Sequence, residues 1–428
     1  MAHAFNRRDF IKLLAAGAAT GTLAGCATTP EVQKPIGRVA VVGGGYGGAA
    51  AAKYIRMWSV GRIEVFLIER SSQFVSCPMS NLVLGGSMKI EDITMDYAKL
   101  REYGVQVMRD EVTAIDTAKK KIKLTRFEDL PYDRLVLSPG VDFMYEQIPG
   151  LNNADAQKSI LHAWKAGAET VALRQQLEAM RDGGVYVLSI PKAPYRCPPG
   201  PYERACQVAF YFAQAKPKSK VLILDGNEDI VSKKGLFLKA WAERYKGIIE
   251  YHNNQEAKDV DLRSMTVKTD FDSFKGDVLN VVPPQKAAGI AAKAGVITAN
   301  NRWCGVNWLT MQSTANSDIH VLGDATLSAS LMPKSGSIAN QHAKVCAAGV
   351  VALMTGQPVN QTPMMTNTCY SFVSDKDAAH VASVHVYDAS EKTLKTVPGS
   401  GGLSAAANEL EGMYAMEWAR NIWADTLG

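Results

Sequence analysis

Three glycines and seven cysteines supply the chemistry that this sequence could perform. Gly43, Gly45 and Gly48 fill a GxGxxG pattern directly after the apolar run Val39-Ala40-Val41-Val42, which suits a buried parallel strand. At such a turn Gly43 permits the tight bend, Gly45 lets the backbone approach a pyrophosphate, and Gly48 lets helix and strand pack closely. The helix that begins over Ala49 to Tyr54 would aim unpaired N–H groups at the phosphates. A second strand, "IEVFLIER", ends at Glu69, about 20 residues on, where a carboxylate accepts bonds from ribose hydroxyls. A bare GxGxxG is weak. Strand, glycines, helix, strand and acid in register predict a dinucleotide site.

The cysteines are Cys26, Cys77, Cys197, Cys206, Cys304, Cys346 and Cys369. No two form a CxxC pair, so neither a zinc ribbon nor a thioredoxin-type centre is expected, and no metal site is predicted. There is no CxxCH, so this chain carries no c-type haem of its own. Spacing alone leaves Cys197 and Cys369 open between a structural disulfide and two free thiols. By itself Cys77 reads as an ordinary buried or free cysteine. Cys206, Cys304 and Cys346 read as buried packing residues, with Cys206 a possible rival for pairing with Cys197.

The elements around these residues decide which dinucleotide binds. "YDRLVLSPG", ending at Gly140, resembles the strand and turn that follow the first nucleotide unit of FAD enzymes. Much later, "SDIHVLGDATL" supplies a strand ending at Gly323-Asp324, where that enzyme class places an aspartate on the ribityl chain and the flavin-side phosphate. These segments predict one FAD domain interrupted by an insertion from about Leu151 to Val281. The insertion starts a second unit, with "TVALRQQLEAMRDGG" as helix and "VYVLSI" and "KVLILD" as strands. Where a second glycine turn would hold NAD, it has "SIPKAPYRCPPGPYERACQVAFYF", with prolines flanking Cys197. A domain of the right shape without an NAD site is expected. "LMPKSGSIANQHAKVCAAGVVAL" predicts a helix just after Asp324, whose dipole and Lys334 would favour negative charge on a reduced flavin. His342 on it reads as structural. From about Pro363 the chain reads as strands ("VASVHVYD") and a final helix. There Leu410, Met413, Tyr414, Trp418 and Ile422 recur three and four apart as a packing face. An aromatic wall beside a flavin is the alternative for that face.

The ends and the bulk frame this reading. "NRRDFIKLLAAGAATGTLAGCATTP" has Arg7-Arg8 before an apolar stretch from Phe10 to about Ala24, too short to span a bilayer comfortably. It reads as an export signal of the twin-arginine kind, which carries folded proteins. Leu23-Ala24-Gly25-Cys26 also fits a lipoprotein box, against plain cleavage near Ala27. A length of 428 residues implies two or three domains. A formal charge of +5 without basic blocks argues against nucleic acid as a partner.

The strings "GGGYGGAAAAKYI", "FVSCPMSNLVLGG", "HAWKAG", "APYRCPPGPYERA", "GDA" followed by "MPKSGSIANQ", "NTCYS" and "EWARNIWADTLG" carry a resemblance along nearly the whole mature length. It is to the flavoprotein subunits of flavocytochrome c sulfide dehydrogenases. "RCPPGPYE" and "NTCYS" are unusual enough to make chance agreement improbable.

The resemblance implies an α/β fold of two Rossmann-like dinucleotide domains, glutathione-reductase-like, plus a smaller C-terminal α+β domain. The boundaries are a signal over 1–27, FAD-binding parts over 36–150 and 282–362, the second unit over 151–281 and an interface domain over 363–428. It implies FAD held covalently through Cys77, a redox-active disulfide of Cys197 with Cys369, Glu203 managing protons, and Trp418 lining the same cavity. Gly43, Gly45, Tyr46, Gly48, Glu69, Arg70, Val112, Gly140, Asp324 and Lys334 complete the cofactor-binding set. Sulfide would be the substrate and a c-type cytochrome subunit, bearing the haem, the acceptor, in the periplasm. Two rival readings are a sulfide:quinone reductase-like enzyme, touching a membrane through a lipid on Cys26, and a non-catalytic flavin-binding assembly subunit. Presence of all three cysteines disfavours the last.

Overall fold

The computed structural model describes residues 34–428, so the export signal, Cys26 and the lipidation box lie outside the described residues. Along the chain run β1 (Gly37–Val42), α1 (Tyr46–Trp58), β2 (Ile63–Glu69), α2 (Ser80–Gly85), β3 (Gln106–Arg109) and β4 (Arg134–Leu137). Then come α3 (Ala168–Ala179), β5 (Val185–Ile190), α4 (Gly200–Ala215), β6 (Lys220–Asp225), α5 (Lys234–Arg244), β7 (Ile249–His252) and β8 (Val278–Val281). The rest is built on β9 (Ile319–Val321), α6 (Gly336–Thr355), β10 (Met364–Phe372), β11 (Ala378–Asp388) and α7 (Glu409–Leu427).

Two parallel sheets follow from these apolar strands. The first has the order β9-β4-β1-β2-β3, and β9 lies against β4 with Ile319 opposite Leu135 despite the intervening chain. The second has the order β7-β6-β5-β8. The chain crosses between them on two short segments, Val141–Phe143 and Gln285–Ala287, which pair antiparallel. Strands buried on both faces read as continuous apolar runs, and Val39, Ala40, Val41 and Tyr186 through Leu188 are fully buried. An antiparallel sheet centred on β10 and β11 completes the α/β fold.

The glycine turn obeys the packing logic of its pattern. Gly43 has a φ of +96° in the left-handed region, and a Cβ on Gly48 would sit 1.8 Å from the Gly43 carbonyl oxygen. Gly48 is therefore where α1 rests on β1. Helix α1 starts at Tyr46, earlier than the sequence suggested, and Gly45 at its N-cap offers no side-chain cap.

Two expectations are corrected. Helix α6 does not open directly after Asp324; it starts at Gly336, capped by the Ser335 hydroxyl, which accepts from the Ile338 N–H at 3.0 Å. On α7 the expected stripe is buried only towards its C-terminal end, at Trp418 in part and at Ile422. Leu410, Met413 and Tyr414 are exposed, while Gly412, Ala415, Ala419 and Ile422 are buried. The reason is distance: a Cβ on Gly412 would meet the Lys376 carbonyl oxygen at 1.8 Å, so close approach demanded small residues.

Candidate functional site

A cavity of about 600 Å³ runs from the glycine turn of the first sheet to the antiparallel sheet, within the range of cofactor pockets. Gly43, Gly45, Tyr46, Glu69, Arg70, Cys77, Val112, Gly140, Asp324 and Lys334 line it, together with Cys197, Glu203, Cys369 and Trp418. Of the residues expected to bind the cofactor or to act on substrate, only Gly48 stands behind the lining, in its packing role.

The turn end fits FAD. The uncapped N-terminus of α1 and the open space where Gly45 and Gly140 lack a Cβ leave room and donors for a pyrophosphate. Glu69 accepts the Gly44 N–H at 2.7 Å and the Ser71 N–H at 2.8 Å, which fix its carboxylate and leave lone pairs for hydroxyls. Asp324 is the sharper sign: its Oδ1 is buried without a partner while the residue faces the cavity. A buried acceptor left orphaned costs roughly 1–3 kcal/mol, which a ribityl hydroxyl would remove.

Lys334 lines the cavity with its ammonium already held by the chain. Its ammonium donates to the Asp324 carbonyl at 3.0 Å and to the Thr326 carbonyl, and it sits 3.8 Å from the Trp303 ring centroid. Burial pushes its pKa down to about 8. It braces the Asp324 turn. His342 does the same from behind: its Nδ1 accepts the Gly323 N–H at 3.1 Å and its Nε2 has no partner.

That histidine gives a pH prediction. Burial first, then Lys334, depresses its pKa to about 3, against about 6.5 in an unfolded chain. Between these values the unfolded state holds a proton that the folded state refuses. Stability is therefore present above pH 6.5 and lost as pH falls, by about 1.4 kcal/mol per pH unit for one such group. His162 (about 3) and His320 (about 4) add to the slope. Unfolding free energies measured from pH 7.5 to 4.5 should fall with acid, less steeply in His342→Leu; identical slopes would remove this account.

At the other end, Cys197 follows β5 in the left-handed region at φ +58°, where a non-glycine residue is strained. Its N–H donates to the Lys334 carbonyl at 2.7 Å, and its carbonyl accepts the Gly200 N–H at 2.9 Å. Its exposure is to the cavity, deep inside the protein, and burial followed by Glu203 pushes its thiol up to about 12. Cys369 on β10 and Cys77 in the loop before α2 are half-buried, and all three sulfurs are free thiols in the structure. Glu203, on the first turn of α4, accepts from the Asn81 amide at 2.9 Å and the Phe372 N–H at 2.8 Å. Burial outweighs these bonds and raises its pKa, which makes its carboxylate a stronger base. Trp418 stands beside Tyr370, ring centroids 6.1 Å apart. Cys206 is away from the cavity: it is fully buried and its sulfur accepts from Trp241 Nε1 at 3.3 Å. Cys304 and Cys346 are buried too.

Sequence reasoning missed Arg196, Asn81, Trp164 and Lys233. Arg196 faces the cavity with Nε 3.8 Å from Asp324 Oδ2, and its place beside Cys197 in "YRCPPG" was the available signal. Trp164 Nε1 donates to the Arg196 carbonyl at 3.1 Å. Lys233 carried no signal. In the second unit, Asp225 ends β6 at the place of a ribose-binding acid. Its carboxylate instead accepts Tyr202 OH at 2.7 Å, Tyr251 OH at 3.1 Å and the Asn227 amide at 2.7 Å. Protein donors fill that position.

Family models match three stretches: residues 170–283 the central part of the sulfide dehydrogenase (flavocytochrome c) flavoprotein chain, 361–427 its flavin-binding part, and 37–178 the pyridine nucleotide-disulphide oxidoreductases. Over 46 residues the chain is 54% identical to the sulfide dehydrogenase (flavocytochrome c) flavoprotein chain of Chlorobaculum thiosulfatiphilum, spanning 11% of this chain and 94% of that relative. The chain belongs to this flavoprotein family. It is thereby a flavin-dependent oxidoreductase acting on sulfide, with FAD as the cofactor its first sheet is shaped to hold. A mitochondrial sulfide:quinone oxidoreductase of Dictyostelium discoideum is 21% identical over 342 residues, 76% of this chain and 73% of the relative. Among solved structures, the sulfide:quinone oxidoreductase of Aquifex aeolicus superposes with a TM-score of 0.72 at 18% identity, covering 91% of each chain, and so shares the fold of this flavoprotein family.

Proposed function

We propose that the chain is the flavin subunit of an exported sulfide dehydrogenase, which oxidises sulfide at a Cys197–Cys369 disulfide and passes electrons to a c-type cytochrome subunit. One observation carries this: Cys77, Cys197, Cys369, Glu203 and Trp418, far apart in sequence, line the cavity whose far end is the dinucleotide turn. Bound FAD supplies an acceptor for two electrons from sulfur that can release them one at a time to haem. Cys197, open to the cavity, would be the sulfur that hydrosulfide attacks, and Glu203 beside it would take a proton. Cys77, in the lining, would hold the flavin through a thioether and so prevent its loss outside the cytoplasm. Export by the twin-arginine route fits loading the cofactor before transport, and the membrane enters only if Cys26 is lipidated.

A quinone acceptor is the second reading, favoured by the curated relative named above. Among the described residues, no helix is long and apolar enough to cross a membrane.

The test is anaerobic spectroscopy on protein purified from its source. Haem should co-purify with flavin. Sulfide should bleach the flavin while NADH leaves it oxidised, and cytochrome c rather than a soluble quinone should restore the colour. After acid precipitation the yellow chromophore should stay with the polypeptide, and Cys77→Ser should release it. Bleaching by NADH would favour a pyridine-nucleotide reductase, and re-oxidation by quinone alone the second reading.

A further inference from the structure

Lys233 stands at the N-cap of α5 in the left-handed region at φ 55°. Its side chain crosses from the second unit to the antiparallel sheet. There its ammonium donates to the Cys369 carbonyl at 2.6 Å, the Ser371 hydroxyl at 2.8 Å and the Ala379 carbonyl at 3.3 Å. It is 6% exposed, and these three acceptors are neutral. A buried charge with only neutral partners is costly, and a nearby anion relieves that cost. Cys369 is foremost among the groups that could supply one, ahead of Glu203, Cys197 and Glu411.

We propose that Lys233 is a positioning residue that makes Cys369, and not Cys197, the sulfur released as thiolate when hydrosulfide opens the disulfide. This rests on the disulfide reading above. In the step, HS⁻ attacks the Cys197 sulfur, a new S–S bond forms there, and the Cys197–Cys369 bond breaks. The bond's electron pair leaves on Cys369, whose sulfur is reduced to a thiolate. The incoming sulfur is oxidised to a persulfide on Cys197 and keeps its proton.

Thiol–disulfide exchange is directed by access to the attacked sulfur and by the acidity of the leaving thiol. Both point one way. Cys197 is exposed to the cavity and Cys369 half-buried. The Glu203 carboxylate opposes an anion on Cys197, although Arg196, which also pairs with Asp324, works against this. Around Cys369, Lys233 favours the anion and Glu203 opposes it, while the thiol donates to the Asn367 amide oxygen at 3.4 Å. Burial raises both thiols, and for Cys369 the lysine offsets part of that rise.

The test uses full-length holoprotein given one equivalent of sodium sulfide without oxygen, quenched rapidly with iodoacetamide and mapped by peptide mass. In wild type and Lys233→Arg the extra sulfur should sit on the Cys197 peptide. In reduced protein, Lys233→Met should move the alkylation midpoint of Cys369 up by about one pH unit and leave that of Cys197 in place, with Lys233→Arg restoring it. A lysine that only holds the fold would shift neither. Extra sulfur on Cys369 in wild type overturns the proposal even if Lys233→Met does not fold, and so does an unmoved Cys369 midpoint. Oxidised protein without a Cys197–Cys369 bridge overturns the disulfide reading itself, which peptide mapping before sulfide addition distinguishes.

Discussion

Cys369→Ser loses sulfide-dependent bleaching of the flavin by roughly 10⁴-fold, the scale on which members of a catalytic unit fail. Cys197→Ser does the same, and the double variant is no worse than either single one, because each change removes the same sulfur–sulfur electrophile. Both residues line the cavity, yet neither belongs to the dinucleotide turn at its other end, so flavin content should stay at the wild-type level. Stopped-flow absorbance at the flavin band, with the flavin-to-protein ratio measured on the same samples, checks both statements. Cys206, Cys304 and Cys346 give the contrast. They are buried in the core, and serine there should lower stability while leaving turnover per folded molecule intact. Near-normal sulfide turnover in Cys369→Ser would end the disulfide mechanism and leave the fold and the family untouched.

The second large effect separates two glycines of one motif. A Cβ on Gly45 meets nothing within 4 Å, whereas one on Gly48 would overlap the Gly43 carbonyl oxygen at 1.8 Å. Gly45→Ala should therefore fold as wild type does and lose flavin, since the methyl group stands where the pyrophosphate must approach. Overpacking of roughly 1–3 kcal/mol corresponds to about fivefold to 150-fold weaker binding. Gly48→Ala should instead lower the thermal midpoint of the protein even without flavin, because α1 has to lift from β1. Thermal unfolding and flavin content of the two purified variants give the comparison. Equal behaviour would mean that the motif does not divide its work between packing and binding.

Much of this was legible because period and spacing report local rules. Apolar runs with glycine turns gave β1, β2, β4 and β9, and the unusual strings around Cys197 and Cys369 led to the family. The final helix was misjudged because Leu410, Met413 and Tyr414 have the spacing of a buried stripe, while the tight approach at Gly412 is a tertiary fact. The bracing role of Lys334 was hidden for a similar reason: it lines the cavity as expected, but only folding brings the Asp324 and Thr326 carbonyls to its ammonium. Asn81 and Lys233 were invisible, since each acts on residues brought near it only by folding.

The pairing of β9 with β4 has a consequence for how the protein is made. The sheet beneath the cofactor lacks its outer strand until Ile319–Val321 has been synthesised, and the unpartnered Asp324 oxygen arrives just after it. Contacts of such long sequence separation form late and slowly, because the loop must be closed before they reward the chain. A nascent chain can thus complete the second unit, which is continuous in sequence, well before it can grip a nucleotide. Flavin capture therefore waits on a strand made after the whole second unit.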